Sequence, residues 1–391
     1  MKILLNTESL LPPLTGIGNY TLNLLRCLCE ENEIEAIDCF SLGAFSPARE
    51  TLARYAAQDR KTSARPTGLP QARLRTFIRG LPLAYRTRTW LYDLKLHSRA
   101  YRYRTHVYHE PNFILKNHAG PSVATIHDLS FIHYPQHHPA ERVAWMKRQL
   151  PRTLARADLL ITPSETIRQE LIADHGVAAN RVRAIYHGAA DCFRPHAPEQ
   201  SQPILQRYGL EHDRYLLFVA SLEPRKGVDV LLDAWCALPD ALRRTWPLVL
   251  AGAPGWKNRE LLKRIERLQV SHGLRRLNFV PSEDLPALYA GASVFVYPAL
   301  YEGFGLPVLE AMQSGVPVIS TNETSMAEFA GDSISLVEPG NREQLTEHLQ
   351  ALLENDAHRN TLAVAGLRHS RNFSWKRCAR ETLDVYRAIV S

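Results

Sequence analysis

The chain has 391 residues, too many for one ordinary hydrophobic core and suited to two. Its 45% hydrophobic and 22% charged residues are globular values that exclude a disordered or fibrous chain, and runs such as Leu159-Leu160-Ile161 and Val294-Phe295-Val296 are strand-sized, far short of the roughly 18–20 residues that span a bilayer. The net charge of +7 is concentrated: residues 60–104 hold twelve Lys or Arg and one acidic residue, Asp93, a local excess of +11.

The opening segment, residues 1–8, reaches polar residues before a signal-peptide core could form, so a cytoplasmic chain is expected. Cys27, Cys29, Cys39, Cys192, Cys236 and Cys378 lack paired C-x-x-C spacing, which suits reduced thiols rather than disulfides or a zinc site. The first strand is expected over 2–6. After it Thr15-Gly16-Ile17-Gly18-Asn19-Tyr20 leads into an apolar-periodic stretch, where Gly16 and Gly18 would let backbone N–H groups approach an anion at a helix start; a tight turn without ligand is the competing reading. In the basic stretch, Phe77, Tyr85, Trp90, Tyr92, Tyr101 and Tyr103 lie among cations that include Arg73, Arg75, Arg79, Arg86 and Arg88. That mixture suits the anionic, half-apolar surface of a membrane. A solvated helical face is the plain alternative; single-stranded nucleic acid is another, unsupported by any recognisable binding module.

Apolar runs at 106–108, 123–126, 159–162 and 182–186, separated by helix-like segments, predict a parallel sheet with crossover helices. Residues 194–203, rich in proline and polar groups, read as a linker. The alternation restarts at 215–220, 248–251, 277–280, 294–297 and 316–320, and apolar positions at helical spacing over 375–390 predict a terminal helix packed on one or both domains. Open α/β sheets bind ligands beyond the carboxyl ends of their strands, so two facing sheets make a cleft lined by the loops that follow strands.

Besides the Gly16–Gly18 loop, three of those loops carry chemistry. Ile126-His127-Asp128 ends a strand, and His127 could donate to a substrate hydroxyl or titrate near neutrality. His133, His137 and His138 follow in a proline-broken run that lacks metal-pair spacing and reads as loop. Ser221-Leu222-Glu223-Pro224-Arg225-Lys226-Gly227 sets two cations just past a strand, where they could neutralise a diphosphate. Tyr301-Glu302-Gly303-Phe304-Gly305-Leu306-Pro307-Val308-Leu309-Glu310 follows the 294–297 strand. Pro307 suits a first helical turn, the amides of Phe304, Gly305 and Leu306 would point outward at a phosphate or sugar oxygen, and Glu302 and Glu310 would accept sugar and ribose hydroxyls. Glu310 could instead simply complement the helix dipole. No D-x-D triplet occurs, so the usual short acidic handle for a nucleotide-bound divalent cation is missing and no metal site is expected.

Together these segments, with Leu160-Ile161-Thr162-Pro163-Ser164 and Tyr186-His187-Gly188, resemble the retaining glycosyltransferase family 4, whose members have the GT-B fold; the Glu302-to-Glu310 pattern around Gly-Phe-Gly-Leu-Pro is the most specific. The resemblance implies an α/β protein of two Rossmann-like domains facing a central cleft: an acceptor-binding domain over 1–195, a nucleotide-sugar domain over 204–372, and a terminal helix, 373–391, returning to the first. It implies that Gly16 approaches the donor phosphates, His127 contacts the transferred sugar, Arg225 and Lys226 bind the diphosphate, Glu302 meets the sugar with Gly303 and the Phe304–Leu306 amides nearby, Glu310 holds the ribose, and the base rests near Pro281. It further implies retention at the anomeric carbon; closure of the two domains over the donor is expected because the candidate ligands come from both halves. Many members place an additional arginine where this chain has Ala220-Ser221, a departure that leaves donor electrostatics incomplete.

The first domain, with His127-Asp128-Leu129-Ser130-Phe131 and Tyr108-His109-Glu110-Pro111-Asn112, is most similar to mannosyl- and rhamnosyltransferases of bacterial surface polysaccharides, such as O-antigen. Expected partners are thus a GDP-linked hexose, mannose or D-rhamnose, a polyprenyl-diphosphate-linked saccharide and the inner face of the cytoplasmic membrane, with no nucleic acid. A nucleotide-sugar epimerase on the same fold would leave the basic-aromatic stretch unemployed. A non-catalytic sugar-nucleotide sensor would not need His127, Glu302 and Glu310 together.

Overall fold

A computed structural model describes residues 1–11, 14–63, 95, 99–278 and 280–390. The candidate membrane patch, Arg73, Arg75, Arg79, Arg86 and Arg88, lies outside the described residues. Among the described residues no helix is long and apolar enough to cross a membrane, and all six cysteines are free thiols.

Two sheets organise the chain. The first contains β1 (Lys2–Asn6), β2 (Ala36–Ser41), β3 (Ala44–Pro47), β4 (Val107–Glu110), β5 (Ser122–Thr125), β6 (Leu159–Thr162) and β7 (Val182–Ala184), in the spatial order β3-β2-β1-β4-β5-β6-β7. All neighbours are parallel except β3, which returns antiparallel on β2 as a hairpin. The second contains β8 (Leu216–Val219), β9 (Leu248–Ala251), β10 (Arg275–Leu277), β11 (Val294–Tyr297), β12 (Val318–Thr321) and β13 (Ser335–Val337), all parallel in the order β10-β9-β8-β11-β12-β13. Helices cover both faces, which is why the central strands β4, β5, β6, β9, β11 and β12 are buried at every position; β9 and β11 read as unbroken apolar runs, while His109, Glu110, Ser122, Thr125, Thr162, Ser320 and Thr321 are buried polar positions of the others.

The segment read as a linker differs from expectation. Residues 194–197 remain irregular, but Pro198 opens a helix, Pro198–Arg207. Pro198 lies in the first turn, where its missing N–H costs nothing, the Gln200 side chain accepts the Ala197 N–H (3.1 Å), and Leu205 is fully buried in the core of the second sheet. The terminal helix, Trp375–Val390, packs into the core of the first sheet: Trp375, Cys378, Leu383 and Tyr386 lie with Ile3, Leu5, Tyr20 and Leu24. Two polar contacts fix it there, the Tyr386 hydroxyl on His109 Nδ1 (2.6 Å) and Arg387 on Glu33 (2.5 Å).

Candidate functional site

In each sheet the chain reverses direction beside its first strand, between β1 and β4 and between β8 and β11, so the loops leaving those strands diverge and open a crevice. The loop after β8 carries Arg225 and Lys226; the loop after β11 carries Glu302–Leu306. Adjacent parallel strands thus bring together side chains more than seventy residues apart.

Glu302 is the hub. Its Oε1 accepts from Arg225 Nη1 (3.1 Å), from the Tyr297 hydroxyl (3.0 Å) and from Lys226 Nζ, which also donates to Tyr297 (3.0 Å). Arg225 Nε pairs with Glu223 (3.3 Å), and Ser221 Oγ holds the other oxygen of Glu223 (2.7 Å). Lys226 is only 7% exposed; burial, reinforced by Arg225, pushes its ammonium well below the ordinary lysine value. Across the cleft stands Asp128. Burial raises its carboxyl, but Arg225 and two hydrogen bonds from Ser130 (3.0 and 2.7 Å) outweigh it and hold the group below the usual range.

The loop from Gly303 to Leu306 is shaped by close packing. A Cβ on Gly303 would lie 1.6 Å from the His127 carbonyl oxygen, so the two domains meet here backbone to backbone. Gly305, at φ +96°, turns the chain into the helix Leu306–Gln313 in a conformation that L side chains rarely adopt. Among the described residues the amides of Phe304, Gly305 and Leu306 have no protein acceptor, as expected at a helix start. The Phe304 ring is buried, stacked on Phe329 (4.6 Å). Glu310, one turn further on, accepts the Tyr289 hydroxyl (2.9 Å), and burial pushes its carboxyl up to about 7.

His127 does not titrate near neutrality as the sequence allowed. It is 8% exposed, burial lowers its pKa to about 4, and Nε2 spends its proton on the Pro111 carbonyl (2.7 Å). The imidazole is therefore neutral and offers Nδ1 as an acceptor. The edges of Tyr20 and Phe113 fix the ring, and His187, also buried and neutral, lies 5.8 Å away and 5.1 Å from Phe304.

Gly16 opens the helix Gly16–Leu28 with free space where a side chain would be. Gly18 is packed against Leu14 and Ser9, and its N–H is taken by Thr15 Oγ1 (3.4 Å). Pro281 lies beyond β10, at the sheet edge two strands from β8, where its carbonyl accepts the Asp284 N–H (3.0 Å); no contact joins it to the Glu302 cluster among the described residues. The structure thus gathers His127, Arg225, Lys226, Glu302, Gly303, Phe304, Gly305 and Leu306, with Glu310 one turn behind. Sequence reasoning gave no role to Tyr297, Tyr289, Glu223 or Asp128. Tyr297 ends its strand, and Glu223 and Asp128 adjoin residues already singled out, so position beside a motif was the available signal.

Facing Rossmann-like sheets with this loop set define a GT-B glycosyltransferase. The family profile "Glycosyltransferase Family 4" matches residues 14–190, and "Glycosyl transferases group 1" matches residues 201–368. The chain is 35% identical over 389 residues to the O-antigen chain mannosyltransferase B of Escherichia coli, covering all of both, and it belongs to glycosyltransferase family 4. It also matches the serotype-specific mannosyltransferase WbdA of E. coli at 33% over 239 residues, 59% of this chain and 29% of that larger protein. Among solved structures, Anabaena Alr3699/HepE in complex with UDP and glucose superposes with a TM-score of 0.71 at 19% identity over 99% of both chains. WaaG, a glycosyltransferase involved in lipopolysaccharide biosynthesis, superposes with 0.70 at 16% over 98% and 99%.

Proposed function

We propose that the protein transfers mannose or D-rhamnose from a GDP-sugar to a polyprenyl-diphosphate-linked saccharide in bacterial surface-polysaccharide synthesis, with retention and without a divalent metal, on the inner face of the cytoplasmic membrane. The hexose and the O-antigen setting follow from the full-length likeness to a mannosyltransferase. The observation that carries the chemistry is the Glu302 carboxylate, held by Arg225, Lys226 and Tyr297, beside the open Phe304–Leu306 amides and opposite His127.

In this reading the donor diphosphate takes the two cations from Glu302, with the Gly16 and Phe304–Leu306 amides supplying further N–H donors to anionic oxygens. The released Glu302 carboxylate and neutral His127 Nδ1 then accept hydroxyls of the transferred sugar, and Glu310 accepts those of the ribose. The bond from the anomeric carbon to the diphosphate oxygen breaks and a bond to the acceptor hydroxyl oxygen forms on the same face. The hydroxyl proton passes to the departing diphosphate, since no carboxylate stands free as a nucleophile in this cluster. Arg225 and Lys226 balance the charge that develops on the leaving group.

The test is a metal-free panel of GDP, UDP, ADP and their sugar conjugates, read by thermal shift and then by nucleoside diphosphate release with a lipid-linked acceptor. Stabilisation and turnover with GDP-mannose or GDP-D-rhamnose, unchanged by EDTA, are expected. Turnover confined to UDP- or ADP-sugars, or abolished by EDTA, refutes the donor or the metal-free assignment.

A further inference from the structure

The Glu302–Gly305 loop rests on a short helix, Ser325–Ala330. Ser325 Oγ donates to the Glu302 carbonyl (2.6 Å), a Cβ on Gly305 would meet Met326 Cγ at 2.5 Å, and Phe304 stacks on Phe329. This same helix sends Glu328 across to the other domain. Its Oε1 accepts the Glu165 N–H and the Tyr186 hydroxyl, both at 2.7 Å; its Oε2 accepts the Thr166 N–H (2.7 Å) and hydroxyl (2.5 Å). Glu165 and Thr166 are the first turn of the helix Glu165–His175, so the carboxylate sits on orphan amides at the positive end of the dipole.

A second hydrogen bond runs in the opposite direction. Ser164 caps that helix by accepting the Ile167 N–H (3.3 Å) and donates its own proton to the Gly303 carbonyl (2.8 Å). Ser164 thus crosses the cleft to the loop that carries Glu302, and Glu328 crosses the other way, from the helix beneath that loop to the first turn of the Glu165–His175 helix; in the same loop the Tyr301 hydroxyl accepts the Leu129 N–H (3.0 Å) and donates to Glu170 (2.6 Å). Four hydrogen bonds on a single carboxylate are more than an exposed helix cap requires.

We propose that Glu328 is a positioning residue, which ties the first turn of the Glu165–His175 helix to the floor of the Glu302–Gly305 loop and so holds Glu302 in register with His127. It touches no reacting atom. The inference rests on the transferase reading for its kinetic consequence, while the coupling itself is measurable without substrate.

The experiment compares Glu328→Gln with the unaltered chain by amide hydrogen exchange and steady-state kinetics. Gln preserves shape but removes the charge and replaces one acceptor oxygen with a donor. Exchange is expected to rise about tenfold or more both at residues 165–167 and at residues 308–309, whose amides bond back to the Gly305 carbonyl. With GDP-sugar, kcat is expected to fall about tenfold and donor KM to change less than about threefold, the pattern of an interaction realised in the assembled transition state. Thr166→Val, which deletes one of the four bonds, should move both readouts less, and adding it to Glu328→Gln should cost little more than Glu328→Gln alone. Faster exchange at 165–167 with none at 308–309, or a kcat loss no larger than the loss of folded protein, makes Glu328 an ordinary helix cap and overturns the proposal. If the unaltered chain turns over no sugar nucleotide, the transferase reading fails, and the exchange comparison still decides whether the coupling exists.

Discussion

Replacing Glu310 with Gln should stabilise the free protein at alkaline pH while weakening its response to nucleotide. Glu310 is half-buried on the helix Leu306–Gln313, its carboxylate meets the Tyr289 hydroxyl at 2.9 Å, and burial raises its pKa from 4.5 to about 7. The folded chain therefore binds more protons than the unfolded chain between those values. The favourable contribution is complete below pH 4.5 and is lost as pH rises through 7. At roughly 1.4 kcal/mol per unit, forcing the carboxyl to ionise costs about 3 kcal/mol, a ceiling because part of the side chain meets solvent. Gln carries no such charge and keeps an oxygen for Tyr289. Melting curves of both proteins at pH 5 and pH 8.5 should show the variant raised by up to about 10 °C at pH 8.5, with the gap closing at pH 5. At pH 8.5 added GDP should stabilise the unaltered protein and shift the variant much less, because the ribose hydroxyls lose a carboxylate acceptor. A variant that melts at or below the unaltered protein at pH 8.5, or a gap independent of pH, refutes the desolvated carboxylate; an undiminished nucleotide shift refutes its role in the donor site.

Glu302→Ala and His127→Ala should each lower kcat/KM about a hundredfold or more while leaving the far-ultraviolet circular dichroism unchanged, and near-normal nucleotide release in either variant removes that residue from the mechanism. Gly303→Ala drives a methyl against the His127 carbonyl, 1.6 Å from where its Cβ would lie, so transfer should be lost while GDP still binds the second domain; calorimetry beside the transfer assay separates the two. Burial depresses His109 to about 3 and both His127 and His138 to about 4, which means that the unfolded chain binds more protons below 6.5 and stability drains away as pH falls from 6.5 towards 4. A melting temperature flat across that interval contradicts their burial as neutral rings. Sedimentation with anionic liposomes at low salt should be abolished by changing Arg73, Arg75, Arg79, Arg86 and Arg88 together to Ala; equal sedimentation of the variant rules the patch out as the membrane contact.

What the sequence displayed follows from which groups are buried on both sides. β6, β9 and β11 are covered on both faces and appear as apolar runs, and β4, β5 and β12, equally buried, keep apolar residues beside their buried polar ones, whereas the β2–β3 hairpin and β13 are edge structures whose Asp38, Ser41, Ser46, Pro47 and Ser335 break the pattern. The helix Pro198–Arg207 was hidden because proline and glutamine dominate its exposed face and its hold on the core is concentrated in Ser201 and Leu205. The chemistry was legible as loops after strands, since parallel order forces every strand's carboxyl end to the same edge. Its pairing was not. Arg225 meets Glu302, and Glu328 meets Thr166, only because β8 adjoins β11 and the two sheets face each other, facts of topology that no local spacing encodes.

The charge count of the cluster sharpens the departure at Ala220-Ser221. Two cations, Arg225 and Lys226, are set among three carboxylates, Glu223, Glu302 and Asp128, so neither cation is idle. A diphosphate arriving here cannot simply add to a positive pocket; it must exchange with Glu302. Under the proposed reaction that exchange couples two events that a pocket with a further arginine would leave separate: neutralising the leaving group and freeing the carboxylate that receives the sugar. A nucleoside diphosphate without its sugar then leaves the released Glu302 buried with the Tyr297 hydroxyl alone in place of both cations, which costs free energy that the complete donor recovers. The sugar nucleotide should accordingly bind more tightly than the bare nucleoside diphosphate, and Glu302→Gln, whose amide is uncharged and gives up the cations more readily, should narrow or reverse that order.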